Sequence, residues 1–489
     1  MSDSFLNKQV FIKFVLYIFL LTSIALHFMS SNTPSHGIFT ITLLIIDFFS
    51  IVLLFWFKYL SRDAGFISLT SIFILGYIIV FVPLSLLRVS GISVLDQFET
   101  FFFYNPANID ITLSLSTMGL VAFIIGVMKR YQVMERPGKH SSMRYKNNRS
   151  ILPVVILAYI SLGAFLIMTP TYASGLYGIE ISSLSQYFST LFKVSFWSAM
   201  ILKIYSYSYS DMKDVSLTKY LLSYGFLFLF LILTYTLLSF YVGDRGPIIS
   251  ISIAVFGFFF ARKKTIGFVK FMVILIISSN VMTMIAEVRT RYYGESYLER
   301  MSSYEKGSGS VYFGQETLLD SFLELSASER TLNHVVLRLQ EGEFDYHYGT
   351  NQILYITSII PGLSGVYFRL FLDNAEERNG SAMFASYLIQ DGDIKYGDGT
   401  SIITDLYLDF GWPGVVFFLF IFGRVVARYE SALFKPVKIN IFPFIFIMIY
   451  FSQSLYLARS ALLLDLGTVV LIFVVIRINH FILFREKIQ

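Results

Sequence analysis

A few arginines and histidines in this sequence sit where hydropathy alone does not explain them. Gly243-Asp244-Arg245-Gly246-Pro247 joins two long apolar runs. Its glycines and proline describe a tight turn, with the proline opening the next helix, but they do not account for the arginine. A guanidinium beside a helix N-terminus is a place to hold a phosphate, because the side-chain fork and free backbone N–H groups converge there. Arg459, in Leu457-Ala458-Arg459-Ser460-Ala461, lies between the last two apolar runs. It reads equally as a second anion ligand or as an arginine snorkelling to the interface. In Glu287-Val288-Arg289-Thr290-Arg291 the arginines are two apart and share no helix face, so they serve different partners or form a solvated helix end. Glu329-Arg330-Thr331-Leu332-Asn333-His334 places Arg330 and His334 four apart, on one face of a helix. Histidine is the usual proton carrier near neutral pH. His334 and His347 are therefore candidates for proton transfer, against the plain alternative of incidental loop histidines.

Other chemistry is excluded or disfavoured. The chain has 0 cysteines, which rules out disulfides, thiolate metal sites and cysteine nucleophiles. Asp391-Gly392-Asp393 with Asp398 opens like a calcium loop, but Lys395 and Tyr396 stand where that motif wants an oxygen ligand and a glycine. A plain turn is the better reading. No HExxH or Walker A pattern occurs, so the expected site uses neither metal nor cofactor. A net charge of +5, with no basic cluster interleaved with aromatics, gives no footprint for nucleic acid.

The elements that must hold these residues are membrane helices. Of 489 residues 55% are hydrophobic and 15% charged, against about 25% charged in soluble domains. Runs long enough to cross a bilayer number about 12: 11–29, 38–57, 65–86, 110–128, 151–169, 184–205, 220–242, 247–261, 266–285, 411–427, 440–457 and 461–483. The first is too long for the apolar core of a cleaved signal and reads as a retained span. Lysine and arginine fill alternate short connections, such as 129–149 and 262–264, whereas the opposite ones hold little beyond Arg88, Arg245 and Arg459. The positive-inside rule then puts both termini in the cytoplasm. The expectation is an all-α, polytopic integral membrane protein in three parts: nine helices over 1–286, one large outer-face segment over 287–410, and three helices over 411–489. Within the outer segment, Leu318, Phe322, Leu325, Leu332, Val336 and Leu339 recur at helix spacing and predict a helix over 316–340. The stretch 353–372, broken by Pro361-Gly362 and Gly365, reads as re-entrant or interfacial, and 390–400 as turns. Asp47, Lys193 and Asp465 fall inside spans, where a structural Asp–Lys pair is the simplest account.

The span-and-loop plan, the Arg245 turn, Glu329-Arg330-Thr331 with Tyr348-Gly349, and the return to the membrane through Asp405-Leu406-Tyr407-Leu408-Asp409-Phe410-Gly411-Trp412-Pro413-Gly414 together resemble the Wzy-type oligosaccharide repeat-unit (O-antigen) polymerases. Asp405 departs from the glutamate more usual there. The resemblance implies a glycosyltransferase at the outer face of a bacterial cytoplasmic membrane, joining undecaprenyl-pyrophosphate-linked repeat units into surface polysaccharide. Its partners would be those lipid-linked glycans, the bilayer and a chain-length regulator. On this reading Arg245, Arg459, Arg289, Arg291 and Arg330 would stabilise the leaving pyrophosphate, while His334, His347 and Asp405 compete for the role of base. Rival readings are the related O-antigen ligase, a flippase or transporter of the lipid-linked unit, which would favour charges deep in the bundle, and a non-catalytic membrane scaffold.

Overall fold

The computed structural model describes residues 3–30, 37–60, 67–91, 109–131, 151–173, 182–208, 212, 214–263, 270, 318–360, 362–371, 380–392, 394, 397–434 and 439–485. Among these the protein is all helical and polytopic. Five helices are long and apolar enough to cross a membrane: α1 (Asp3–Ser30), α2 (Gly37–Leu60), α5 (Ile109–Tyr131), α9 (Arg245–Lys263) and α14 (Ile402–Tyr429). A sixth is the pair α3 (Leu69–Phe81) and α4 (Pro83–Val89), bent by 46°. The bend falls at Pro83, which has no N–H to give the preceding turn. Shorter apolar helices are α6 (Leu152–Met168), α8 (Phe226–Val242), α15 (Ile441–Ser452) and α16 (Leu466–Arg485); α7 (Ser183–Ser208) is long but more polar. The expected span at 266–285 lies outside the described residues, apart from Lys270.

The bundle is built around α5, which is wholly buried from Ile109 to Met128. Its tightest neighbour is α14. A Cβ added at Gly126 would meet the Phe420 carbonyl oxygen at 2.2 Å, and one at Gly423 would meet the Phe123 carbonyl oxygen at 2.2 Å. Two glycines, one per helix, thus let the backbones touch, the small-residue packing that serves where lipid offers no hydrophobic drive. On the outside of the bundle Phe14, Leu21, Phe48, Phe226 and Leu233 are exposed, as side chains facing acyl chains should be. At one end Glu430 takes hydrogen bonds from the Thr70 N–H (2.8 Å) and hydroxyl (3.0 Å) and lies 3.7 Å from the Lys58 ammonium, tying α2, α3 and α14 together.

The expectations for the last two spans and for the buried charges need correction. The span expected over 440–457 leaves the helix at Ser452, and the one at 461–483 starts only at Leu466. Between them the chain turns, makes a 3-10 turn at Leu457–Arg459, and packs against α3 so closely that a Cβ at Gly76 would sit 2.4 Å from the Leu455 carbonyl oxygen. The apolar residues Leu457, Ala458 and Leu462 are buried by protein. α14 begins at Ile402, ahead of the expected boundary at 411, and carries the break at Gly411 within it. Of the residues considered for an Asp–Lys pair, Lys193 is exposed on α7, and Asp47 accepts instead from the Thr117 hydroxyl at 3.2 Å.

The segment expected at the outer face, labelled the outer segment on that expectation alone, contains α10 (Leu318–Gln340), α11 (Thr350–Thr357), α12 (Leu363–Phe371) and α13 (Ser381–Ile389). The predicted helix is present as α10, with Leu332, Val335 and Val336 fully buried. The stretch 353–372 is two short helices, parted at Gly362. α10 docks on the bundle, where the Ser326 hydroxyl donates to the Ile79 carbonyl of α3 at 2.7 Å.

Candidate active site

The Arg245 corner is set by its neighbours. α8 ends at Gly243, and Asp244 caps α9, its carboxylate accepting from the Gly246 N–H at 3.1 Å. Arg245 is the first residue of α9. That helix packs on α15, and the Ser250 hydroxyl donates to the Gln453 side chain at 3.1 Å. The turn that follows α15 brings Tyr456 to this corner. Burial pushes the Tyr456 hydroxyl up to about 12, while Arg245 and Arg459 both pull it down and Asp244 pushes it up. Two guanidinium groups more than 200 residues apart in the chain therefore act on one hydroxyl, at the N-terminus of α9.

Arg459 also reaches the outer segment, its Nε donating to the Ser328 hydroxyl of α10 at 2.9 Å. Two residues along α10, Arg330 lies 3.0 Å from Asp398, both side chains buried. The 390–400 turn is thereby stapled to α10. Burial still holds the Asp398 carboxyl above the ordinary carboxylate range, against the pull of Arg330 and of the Gln390 amide. His334 is buried one turn further on. Arg289 and Arg291 lie outside the described residues.

Asp405 is fully buried in the first half of α14. Its Oδ1 accepts from the Ser381 hydroxyl at 2.8 Å, and its Oδ2 from the Gln352 amide at 2.8 Å and the Leu462 N–H at 3.3 Å. One turn later Asp409 accepts from the N–H groups of Asn351 (3.3 Å) and Gln352 (3.1 Å) and from the Asn351 amide (2.8 Å). Those N–H groups open α11, whose N-cap Gly349 offers no side chain. Asp409 thus caps a helix other than its own. Gly411, at φ 64 and ψ −165, breaks α14 directly after this pair; only glycine holds such a conformation without strain.

His347 is joined to the same assembly. Its N–H donates to the Leu408 carbonyl at 2.9 Å, and its ring stands edge-on to Phe384 with centroids 4.4 Å apart. The Asn351 amide nitrogen, fixed in orientation by Asp409, lies 3.3 Å from His347 Nδ1. An amide nitrogen only donates, so Nδ1 accepts and a neutral ring keeps its proton on Nε2. His347 borders a cleft of about 950 Å³ that is also walled by Arg338, Tyr346 and Tyr387.

Of the residues singled out from sequence, the fold brings Arg245 to Arg459, and Arg459 to the helix that carries Arg330 and His334. Asp405 and His347 gather around α11 instead. Asn351, Gln352, Ser381 and Asp409 escaped sequence reasoning. The one signal was spacing: Asp405 and Asp409 are four apart and share a helix face.

No curated protein and no solved structure matches this chain. The family model for O-antigen polysaccharide polymerase Wzy matches it over residues 10–487, nearly its whole length. A multi-pass helical bundle, with α10 docked on it and cationic groups gathered at one corner, belongs to that family: the chain is a member of the O-antigen polysaccharide polymerase Wzy family.

Proposed function

We propose that this polysaccharide polymerase works on undecaprenyl-pyrophosphate-linked repeat units at the outer face of a bacterial cytoplasmic membrane, with both its termini in the cytoplasm. The observation that carries the reading is the convergence of Arg245 and Arg459 on Tyr456 at the N-terminus of α9. Such a corner suits a pyrophosphate, whose several anionic oxygens match the planar fork of a guanidinium. A hydroxyl of the acceptor unit attacks the anomeric carbon of the donor glycan and forms the new C–O bond. The bond from that carbon to the pyrophosphate oxygen breaks, its electron pair leaves with the pyrophosphate, and the hydroxyl proton passes to a base. Arg245 and Arg459 stabilise the charge that grows on the leaving group.

Among His334, His347 and Asp405, we read His334 as the base, because it lies on the helix that holds Arg459 through Ser328. Asp405 is a positioning residue, and Arg330 holds the 390–400 turn through Asp398.

The test uses purified protein in nanodiscs, given the lipid-linked repeat unit as both donor and acceptor. A ladder of polymer that wild type forms and Arg245→Ala does not supports the reading. Wild type that forms no ladder, or transfers glycan only when a lipid core is supplied, overturns it in favour of a ligase.

A further inference from the structure

The cleft beside His347 takes no part in the steps above. We infer that it is a glycan subsite that holds uncharged sugar rings of the lipid-linked substrate and rejects acidic ones. This rests on the polymerase reading and names the sugar chemistry that reading leaves open.

Three kinds of group arrive with such a substrate: an isoprenoid tail, a pyrophosphate and sugars. The cleft is formed by the end of α10, the 343–347 stretch, and the ends of α12 and α13. Its volume of about 950 Å³ lies at the upper end of the 300–1,000 Å³ typical of small-molecule pockets, at roughly the size that encloses a drug-sized ligand. Glu343, Asp345 and Asp391 contribute three carboxylates to its wall against the one guanidinium of Arg338. That guanidinium is already engaged, 2.7 Å from Asp391 and 3.4 Å from Glu343. An isoprenoid tail would desolvate those charges without compensation. A pyrophosphate, or a sugar bearing a carboxylate, would meet net negative charge with the cation spoken for.

A neutral sugar meets neither obstacle. Tyr346, Tyr387 and Phe371 offer aromatic faces for its C–H surfaces, and the two tyrosines add a polar edge. Phe371 is 69% exposed, and Tyr387 lies stacked over Phe384, with ring planes 26° apart. Glu343 and Asp391 accept from sugar hydroxyls. The backbone is also held under strain at the rim. The two non-glycine residues with positive φ among the described residues are Asp391 (φ 49) and Tyr348 (φ 48). Asp391 is in the wall, and the exposed Tyr348 ring lies 6.5 Å from that of Tyr346. Conformations of this cost persist chiefly at binding and catalytic sites.

Full-length protein in nanodiscs is examined by saturation-transfer NMR with two soluble probes of equal length, an N-acetylglucosamine oligomer and a galacturonic acid oligomer. The neutral probe should receive saturation and the acidic one should not. Tyr387→Ala and Phe371→Ala should each weaken the neutral signal about fivefold, the order expected for one lost aromatic contact; Phe371 is exposed enough to be replaced without disturbing the core. Glu343→Gln combined with Asp345→Asn should admit the acidic probe. Equal transfer to both probes in wild type, or a neutral signal untouched by both aromatic variants, overturns the subsite. Polymer formation from the lipid-linked unit is followed on the same samples. If wild type makes no polymer while the probes behave as expected, the polymerase reading falls and the sugar site stands. Polymer made alongside unselective probes removes the sugar site alone.

Discussion

Gln352 holds both carboxylates of α14 at once: its side-chain amide donates to Asp405 at 2.8 Å and its backbone N–H donates to Asp409 at 3.1 Å. The outer segment is therefore fastened by buried hydrogen bonds to charged groups, which count for more than neutral ones. Asp405→Ala strands the Ser381 hydroxyl, the Gln352 amide and the Leu462 N–H, and each buried donor left unmet costs about 1–3 kcal/mol. Thermal unfolding of the purified variant should show a loss of at least about 2 kcal/mol. Unchanged stability would mean that the three donors find other partners and that the clamp is dispensable.

Arg245→Ala should abolish polymer at normal protein level, and Arg245→Lys should restore it only in part. A planar guanidinium engages two phosphate oxygens while an ammonium acts as a point charge. Loss in the lysine variant should be at least about tenfold, or roughly 1.4 kcal/mol of transition-state stabilisation. An arginine that only anchors α9 at the interface would be replaced by lysine without penalty, so full activity would remove Arg245 from the site. The same assay run with chelator checks the metal-free mechanism; inhibition would overturn it.

Glu329 makes stability depend on pH. It is 1% exposed, its Oε2 has no hydrogen-bond partner among the described residues, and burial holds its carboxyl well above the ordinary range. A group whose pKa is raised on folding binds its proton more tightly in the native state. Its contribution is whole below the ordinary carboxylate range and is lost as pH rises from there through the raised value. The melting temperature of wild type should fall over that interval, and Glu329→Gln, which mimics the neutral acid, should flatten the fall. A steeper alkaline loss in the glutamine variant would contradict this assignment.

The absence of cysteine, 0 in the chain, makes topology readable. A Glu343→Cys variant, at a position with a 41% exposed side chain in the outer segment, should react with a membrane-impermeant maleimide in spheroplasts. Labelling that appears only after the cytoplasm is opened would invert the orientation.

Hydropathy made the helical bundle legible, because a span needs little more than a long apolar run. Where it misled, the cause was burial by protein rather than lipid: Leu457, Ala458 and Leu462 read as membrane helix but sit in a packed turn. Arg245 and Arg459 stood out because charge against the inside rule is costly to keep. Gln352 and Asn351 gave no such signal. An amide is tolerated on most helix surfaces, and only the fold reveals the carboxylates opposite. Asp398 looked like part of a turn because its partner Arg330 lies 68 positions earlier.

The carboxylates that fasten α11 and α13 belong to α14, a helix that continues past Gly411 into the bundle, and a further donor comes from Leu462 beyond the last turn. The outer segment thus does not own its anchors. Exchanging 318–400 between two members of the family would set new Gln352 and Ser381 counterparts against carboxylates selected with the old ones. Horizontal shuffling of this segment as a cassette is disfavoured unless the first half of α14 and the 453–462 turn travel with it. On the subsite proposal, single changes at the cleft rim, at Glu343 or Asp391, are the shorter route by which a lineage alters the glycan it accepts.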